Sequence, residues 1–246
     1  MGADLSARAV GMHELMDAPD ADPQMLERTY LRFGAVNAVV SRLGAVYRAE
    51  VRPRAHRRRA AGERRLRILD VGAGGGDLCR ALAVRLRRDG LDAEITGLDI
   101  DPRAVAWASA QDDGSGIEYR CAAVADLVRD GETFDVVLSN HVLHHLDEEG
   151  LMEMLEATRR LVTSHGLVAH HDIARSRLGY AAFAAVTWPF AGNLLSGSFI
   201  RADGLTSIRR SYTVAELAAV VPRGWAVRAG FPSRLELRWE PGDAGS

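Results

Sequence analysis

The chain has 246 residues, with 31 basic and 33 acidic side chains and a formal net charge of −2. Every basic residue is Arg, so the sequence offers no lysine for a Schiff base, a P-loop or general-base catalysis. Hydrophobic residues make up 47% of the chain, which excludes a mainly disordered protein. The near-neutral charge argues against a dedicated nucleic-acid binder, because such proteins are usually strongly basic.

Residues 1–65 are predicted to form an N-terminal helical cap, because they show no strand pattern. Asp22 and Pro23 supply the N-cap and first-turn signals of a helix. Apolar residues recur at helical spacing over 25–47, and Pro53 is expected to end that pattern.

An Arg-rich run with eight arginines covers residues 52–67. One interpretation is a nucleic-acid or phosphate-binding patch. No aromatic residue is interleaved with the arginines, so we favour a solvated helix end and linker.

Residues 66–174 alternate short apolar runs with amphipathic stretches, which predicts βαβ units and a parallel sheet. The predicted strands are 67–71, 93–100, 117–124, 134–140 and 166–174. The predicted helices are 78–90, a helix with Asp101 as N-cap and Pro102 as first residue, and 151–162.

Residues 175–213 interrupt this alternation. They are predicted to contain an apolar, aromatic-bearing helix over 180–190 and then a Gly- and Ser-rich loop. The aromatic side chains could line an acceptor pocket, pack a lid helix onto the domain, or do both. We therefore expect 175–213 to be a lid insertion.

The C-terminal part closes the domain. Thr213 and Glu216 form a capping box that predicts a helix over 213–221. Two closing strands are predicted at 225–230 and 233–239. The expected fold is therefore α/β, with a seven-stranded, mostly parallel Rossmann-like sheet that has helices on both faces and occupies residues 66–246.

The two cysteines, Cys79 and Cys121, belong to no CxxC or His-rich pattern, which predicts buried free thiols and no zinc site or disulfide framework. The N-terminus lacks the basic and apolar regions of a secretory signal. The most apolar later stretch, 180–195, is short and interrupted by Pro189 and Gly192, so it does not predict a membrane span. We expect a cytoplasmic protein.

The strongest chemical signal is the glycine-rich segment Asp70–Asp77, between the first predicted strand and a helix. Its glycines permit a tight turn and the close approach of a ligand to the backbone. The dinucleotide fingerprint GxGxxG fails, because the sixth position from Gly72 is Asp77. An acid at the helix N-terminus would repel a pyrophosphate, so the loop suits a cationic or zwitterionic ligand.

The pattern Asp-x-Gly-x-Gly-x-Gly after a first strand resembles motif I of class I S-adenosylmethionine-dependent methyltransferases. The resemblance implies S-adenosyl-L-methionine as cofactor and S-adenosyl-L-homocysteine as product. It places Asp70 near the methionine ammonium of the cofactor. The glycine loop that it assigns to cofactor binding contains Gly72, Ala73, Gly74 and Gly76.

Further cofactor residues follow from the same resemblance. Asp99, 29 residues after Asp70, matches the acid that accepts both ribose hydroxyls, and Ile100 follows it. Asp126 matches the acid that binds the adenine amino group, with Ala125 and Leu127 beside the ring.

The segment after the fourth predicted strand, residues 138–146, resembles the part of this family that closes over the methionine portion. This similarity assigns Asn140, His141 and His145 to the cofactor site. The segments 14–37, 172–180 and 203–217 resemble a group of actinobacterial methyltransferases associated with polyketide or other phenolic natural products.

The favoured function is methyl transfer to a hydroxyl of a phenolic or polyketide-like small molecule in secondary metabolism. C-methylation of a similar ring is the first alternative. RNA methylation and non-catalytic binding of the cofactor are the other two functions considered, and both are less favoured. Base N-methyltransferases usually carry an Asn/Asp-Pro-Pro-aromatic tetrad where this chain has Ser139–Val142, which argues against that activity. The expected partner is an aromatic acceptor, without nucleic acid or membrane, for a monomer or homodimer.

A phenol has a pKa near 10, so a nearby base would assist its methylation. His144 is the first candidate for this base and His171 the second. The wider set of candidates at the ends of the fourth and fifth strands is His141, His144, His145, His170, His171 and Asp172. No Asp-Asp-Asn pattern of a metal-dependent catechol mechanism is present, so no metal is expected.

Overall fold

The computed structural model describes residues 3–40, 43–62 and 65–242, with the backbone alone at 35–40. Its centre is a seven-stranded sheet in the order β3-β2-β1-β4-β5-β7-β6. The strands are β1 (Leu66–Val71), β2 (Ala93–Asp99), β3 (Glu118–Cys121), β4 (Phe134–Asn140), β5 (Val162–Ile173), β6 (Ala226–Gly230) and β7 (Arg234–Trp239).

Strands β1 to β5 run parallel to one another, whereas β7 runs antiparallel to both β5 and β6. The central strands are apolar along their length because helices cover both faces. In β4 every residue except Asn140 is buried. The expected mostly parallel, Rossmann-like α/β fold is confirmed.

Helices cover both faces and the carboxyl edge of the sheet. Their bounds are α1 (Pro23–Val40), α2 (Leu43–Val46), α3 (Arg52–Ala60), α4 (Asp77–Arg88), α5 (Pro102–Ala110), α6 (Val124–Arg129), α7 (Glu148–Leu161), α8 (Arg177–Thr187), α9 (Ile200–Arg210) and α10 (Val214–Val220). One buried cluster, with Leu82 and Ile68, lies on one face of the sheet, and a second, with Leu155 and Leu237, lies on the other.

The helix caps predicted from the sequence are confirmed at α5 and α10. The Asp101 carboxylate accepts the N–H of Arg103 at the start of α5. Thr213 and Glu216 form the reciprocal capping box of α10. Side-chain caps act within one turn of chain, so the sequence alone can place them.

The structure corrects the helix end predicted at Pro53. A π-helical turn, Tyr47–Val51, leads directly into α3, and Pro53 lies in the first turn of α3. Proline lacks an N–H, which the first turn of a helix does not need, so the chain continues as helix. The wider turn shifts the hydrogen-bond register just before the proline.

The Arg-rich run is only partly solvated. Arg54 is buried and forms ion pairs with Glu50 and Glu240. Arg58 forms an ion pair with Asp135 at the amino end of β4. These arginines therefore attach α3 to the sheet, while Arg57 remains exposed.

Part of the loop predicted within 175–213 is helical. Helix α9 packs on α8, and Gly204 allows this contact because a Cβ there would lie 2.4 Å from Cζ of Phe183. The Asp203 carboxylate accepts the N–H groups of Leu15 and Met16 at 2.8 and 3.0 Å. These contacts place the N-terminal segment beside α9, across the carboxyl edge of the sheet.

The two cysteines lie in different environments. Cys79 is buried as expected, but Cys121 is exposed at the edge strand β3. Across the described ranges, no helix has the length and apolar character needed to cross a membrane.

Candidate active site

A cavity of about 840 Å³ opens at the carboxyl ends of β1, β2 and β4. The strand ends form its floor, while the N-terminal segment and helices α8 and α9 contribute its other walls. The predicted site residues that line it are Asp70, Gly72, Ala73, Gly74, Asp99, Ile100, Asn140, His141, His144 and His145. Most of the proposed site is therefore brought together in one place.

The glycine loop between β1 and α4 follows a path that requires glycine. Gly72 has a φ of +69°, and a Cβ at this position would lie 2.4 Å from Cγ2 of Val142. The N–H groups of Gly72 and Ala73 both donate to the carbonyl of Leu98, which fastens the loop to β2. Gly76 also has a positive φ, but it packs against Tyr119 instead of lining the cavity.

Asp70 lies at the inner end of the cavity. Its side chain is 1% exposed, and Oδ2 accepts a hydrogen bond from Sγ of Cys79 at 3.3 Å. Oδ1 has no hydrogen-bond partner among the described residues. Burial raises the pKa of Asp70 to about 8. A buried acceptor oxygen without a partner fits the ammonium group that the sequence resemblance implies.

Asp99 ends β2 beside the glycine loop. Its Oδ2 accepts the N–H of Gly74 at 2.7 Å, and its Oδ1 accepts the N–H of Asp101 at 2.9 Å. The next residue, Ile100, lines the cavity with 78% of its surface exposed. An acid next to an exposed apolar side chain suits a ribose followed by a flat aromatic ring.

The residue predicted to contact adenine, Asp126, lies apart from the cavity. Strand β3 ends at Cys121, and Asp126 therefore lies in the first turn of α6. Its carboxylate accepts the N–H of Ala123 at 2.9 Å and pairs with Arg129 at 2.6 Å. These local contacts hold the side chain outside the cavity.

The two residues beside Asp126 do not line the cavity either. Leu127 is fully buried in the core beneath α6, and Ala125 is exposed on the other side of the helix. The structure thus places Ala125, Asp126 and Leu127 apart from the other predicted cofactor residues, because the motif begins a helix instead of ending a strand.

His141 follows β4 with a φ of +62°, which is uncommon for a residue other than glycine. Its N–H donates to the carbonyl of His171 at 2.9 Å, which holds the backbone in this conformation. The ring lies 3.7 Å from the Asp172 carboxylate, and burial lowers the pKa of His141. Strained backbone at a cavity wall is typical of functional sites.

His144 lies in the cavity wall between two carboxylates. Its Nδ1 is 2.8 Å from Oδ1 of Asp172, and its Nε2 is 3.1 Å from Oε1 of Glu14. Burial alone would lower the pKa of His144, but the two carboxylates outweigh it and raise the pKa to about 10. Both ring nitrogens are thus engaged, so His144 would have to release one carboxylate before it could act as the predicted general base.

The second predicted base, His171, occupies a different environment. It lies on β5, does not line the cavity, and is 8% exposed. Burial lowers its pKa to about 3, so it is a weak base. The neighbouring candidate His170 belongs to the core, where its ring contacts Ser139 and stacks on Trp225.

Glu14 is a cavity residue that the sequence analysis missed. It is 6% exposed, and its Oε1 accepts a hydrogen bond from Oγ of Ser207 at 2.6 Å. Its contact with His144 joins residues 130 positions apart. Such a long-range contact leaves no local pattern, so no signal in the sequence pointed to Glu14.

The aromatic side chains of α8 separate into two groups. Phe183 lines the cavity, as one interpretation of the aromatic stripe predicted. Trp188 and Phe190 follow the helix and are 71% and 44% exposed. On the opposite side, Tyr30 of α1 lines the cavity and stacks on Trp107 of α5.

Comparisons with known proteins agree with this architecture. A sequence profile described as a methyltransferase domain matches residues 68–166. The ubiquinone biosynthesis O-methyltransferase of Cereibacter sphaeroides is 35% identical over 126 residues, which cover 50% of this chain and 48% of the relative. The enzyme of that name from Pseudomonas syringae is 35% identical over 132 residues, which cover 52% and 53%. The chain thus spans about half the length of the curated relatives that it matches.

The plantazolicin methyltransferase BpumL, solved with a pentazolic desmethylPZN analogue and SAH, has a TM-score of 0.54. Its sequence is 12% identical, and the alignment covers 87% of this chain and 95% of that one, so the likeness concerns the fold. Residues 68–166 are therefore similar to a methyltransferase domain. The strand order of the sheet and the glycine loop at its carboxyl edge agree with that similarity.

Proposed function

We propose that the protein transfers the methyl group of S-adenosyl-L-methionine to a hydroxyl of a phenolic or polyketide-like small molecule. The observation that supports this most is the continuity of one cavity from Asp70 and Asp99 to the apolar wall at Phe183. The inner part matches the cofactor resemblance, and the outer part offers room for an acceptor of small-molecule size. The O-methyltransferase names of the similar curated proteins support a hydroxyl acceptor.

Each cofactor assignment rests on a side chain that faces the cavity. Asp70 would hold the ammonium, the glycine loop would admit the methionine portion, and Asp99 would accept the ribose hydroxyls. Ile100 would lie against the adenine ring, while Asn140 and His141 would close over the methionine portion. When bound, the cofactor supplies an electrophilic methyl carbon. The chain's task is then to align the acceptor oxygen with that carbon and to exclude water.

The N-terminal cap and residues 175–213 are proposed to select the acceptor. Glu14 and Phe183 project into the outer part of the cavity from these two segments. The acceptor oxygen would bond to the methyl carbon as the carbon–sulfur bond breaks. The electron pair of that bond stays on sulfur, and the hydroxyl proton leaves to solvent.

The test uses the purified full chain with isotope-labelled S-adenosyl-L-methionine and a panel of phenols, analysed by mass spectrometry. We expect the label on oxygen, as a methyl ether, in at least one phenol. Label on a ring carbon would replace the proposal with C-methylation. Label on RNA but on no phenol would overturn the small-molecule acceptor, and no binding of either cofactor form by calorimetry would overturn the whole proposal.

A further inference from the structure

Two imidazole rings and one carboxylate converge at the acceptor side of the cavity. The Nε2 atoms of His144 and His145 lie 3.1 and 3.8 Å from Oε1 of Glu14. The ligand atoms of these three residues all lie within 4.8 Å of one another. The cluster faces the cavity and comes from two segments that are far apart in sequence.

The opposite nitrogen of each ring is held by a second carboxylate. Nδ1 of His144 is 2.8 Å from Asp172, and Nδ1 of His145 is 3.2 Å from Asp17. A carboxylate on Nδ1 fixes the tautomer that leaves Nε2 as the inward-facing atom. Histidines that bind metal ions almost always have such an outer partner.

The backbone that carries both histidines is fixed before any ligand arrives. They lie in one 3₁₀ turn, Leu143–His145. The Arg210 guanidinium donates to the carbonyls of His144 and His145 at 3.2 and 3.1 Å. The N–H of His144 donates to Asp172 at 2.9 Å. Because these hydrogen bonds already hold the turn, little conformational entropy is lost when a ligand binds to it.

A hydrogen bond between Glu14 and His144 explains only part of this arrangement. It leaves Nε2 of His145 at 3.8 Å, beyond hydrogen-bond reach of the same oxygen. Ligands about 2.1 Å from a tetrahedral Zn²⁺ ion lie roughly 3.4 Å from each other. The two measured distances from Glu14, 3.1 and 3.8 Å, lie on either side of that value.

We propose that Glu14, His144 and His145 bind a first-row divalent transition-metal ion such as Zn²⁺, with an open position toward the cavity. Two imidazoles, one carboxylate and a free position are the ligand set of catalytic zinc sites. The binding of the ion does not depend on the proposed methyl transfer, but the catalytic role that we assign to the ion rests on that proposed function. The acceptor hydroxyl would coordinate at the open position, and its pKa would fall so that the proton leaves to solvent.

This inference replaces the sequence-based expectation of no metal. That expectation relied on the lack of an Asp-Asp-Asn pattern. The carboxylate found here comes instead from the N-terminal segment, and the two histidines are adjacent in sequence. The proposal also gives the acceptor a means of activation that does not depend on His144 or His171 acting as a free base.

The test starts from the full chain after dialysis against a chelator. Co²⁺ replaces Zn²⁺ as a spectroscopic probe, and calorimetry with Zn²⁺ gives the stoichiometry and affinity. We expect one ion per chain and cobalt absorption bands typical of mixed nitrogen and oxygen ligands. Glu14→Gln and His145→Ala should abolish stoichiometric binding. Asp17→Asn, which alters only an outer partner, should weaken binding about 10- to 100-fold.

The matched control is His165→Ala, because His165 is an exposed histidine at the start of β5, away from the cavity. It should bind the ion as the wild type does. Thermal unfolding would identify a variant that fails to fold, and the partly exposed positions 17 and 145 still provide two informative variants.

Equal Zn²⁺ affinity in the wild type, His145→Ala and Asp17→Asn would overturn the site, as would the absence of stoichiometric binding. If either result is obtained and the protein still binds S-adenosyl-L-homocysteine, the metal site is contradicted but the proposed function is not. Stoichiometric metal binding without methyl transfer to any phenol would instead contradict the proposed function alone.

Discussion

The carboxylate of Asp99 accepts a hydrogen bond of 2.7 Å from the backbone N–H of Gly74. This contact joins the end of β2 to the glycine loop after β1, so the acid and the loop form one rigid unit. Asp99 also lines the cavity, and its carboxylate can accept more hydrogen bonds than these two. The consequence is that a change at Asp99 should disturb both the loop and its ligand.

Asp99→Asn should weaken the binding of S-adenosyl-L-homocysteine about 10- to 100-fold, because hydrogen bonds to a charged acceptor contribute roughly 1.5–3 kcal/mol. Isothermal titration calorimetry measures the change. Glu94→Gln is the matched control, since Glu94 is an exposed carboxylate near the opposite end of the same strand. Equal affinities in the two variants would contradict the assignment of Asp99.

Gly72→Ala should destabilise the fold more than Gly74→Ala. Both positions have a positive φ, which costs an alanine about 1–2 kcal/mol. Only at Gly72 does the new Cβ meet another group, at 2.4 Å from Val142, whereas nothing lies within 4 Å at Gly74. The clash should add about 1–3 kcal/mol. Urea unfolding provides the comparison.

A double-mutant cycle with Val142→Ala tests the origin of the difference between these glycine variants. Removing the valine methyl groups should recover part of the loss in Gly72→Ala. It should recover nothing in Gly74→Ala. Additive effects in both backgrounds would show that the contact with Val142 is not the cause.

Asp70 should give stability and ligand binding opposite dependences on pH. Burial raises its pKa from 3.8 to about 8 in the folded chain, so the folded state binds the proton more tightly than the unfolded state. The contribution of Asp70 to the free energy of unfolding is therefore present below about pH 4 and is lost as pH rises toward 8. Affinity for a ligand ammonium should increase over that interval as Asp70 ionises.

The measurements are urea unfolding and calorimetry with S-adenosyl-L-homocysteine at several pH values between about 5 and 8. Asp70→Asn is the control, since it keeps the shape of the side chain and cannot ionise. The difference in unfolding free energy between the wild type and this variant should change steadily with pH. A constant difference would mean that the carboxyl titrates in its ordinary range.

Arg54→Ala should destabilise the protein by about 1–3 kcal/mol, because the buried Glu50 carboxylate loses one arginine partner while it keeps Arg238. Arg57→Ala, an exposed change in the same helix, should alter stability by less than about 0.5 kcal/mol. Urea midpoints compare the two. Similar effects would restore the interpretation of the Arg-rich run as a wholly solvated surface.

The sheet and the glycine loop could be predicted because their signals are local. Strand β1 is an apolar run that stops at glycines, and Asp99 ends the next buried run. Caps such as Asp101 act over two or three residues. Each of these features depends on near neighbours in the chain, so the sequence alone contains the information.

Other features depend on contacts that sequence patterns do not record. Helix α9 contains Gly204 and Ser207, which disfavour helix, and it is held by the contacts of Asp203 with the N-terminal segment. The engagement of His144 by Glu14 spans 130 residues. The location of Asp126 was hard to predict for a different reason, because a short acid-containing motif fits a strand end and a helix start equally well.

The N-terminal segment finds its partners far along the chain. Ala9 and Arg8 donate to the carbonyls of Arg209 and Arg210, and Leu15 donates to the carboxylate of Asp203. Those partners are synthesised roughly 200 residues later than the segment itself. The part of the cavity proposed for the cofactor can therefore take shape during synthesis, whereas the part proposed for the acceptor closes only when these two distant regions meet.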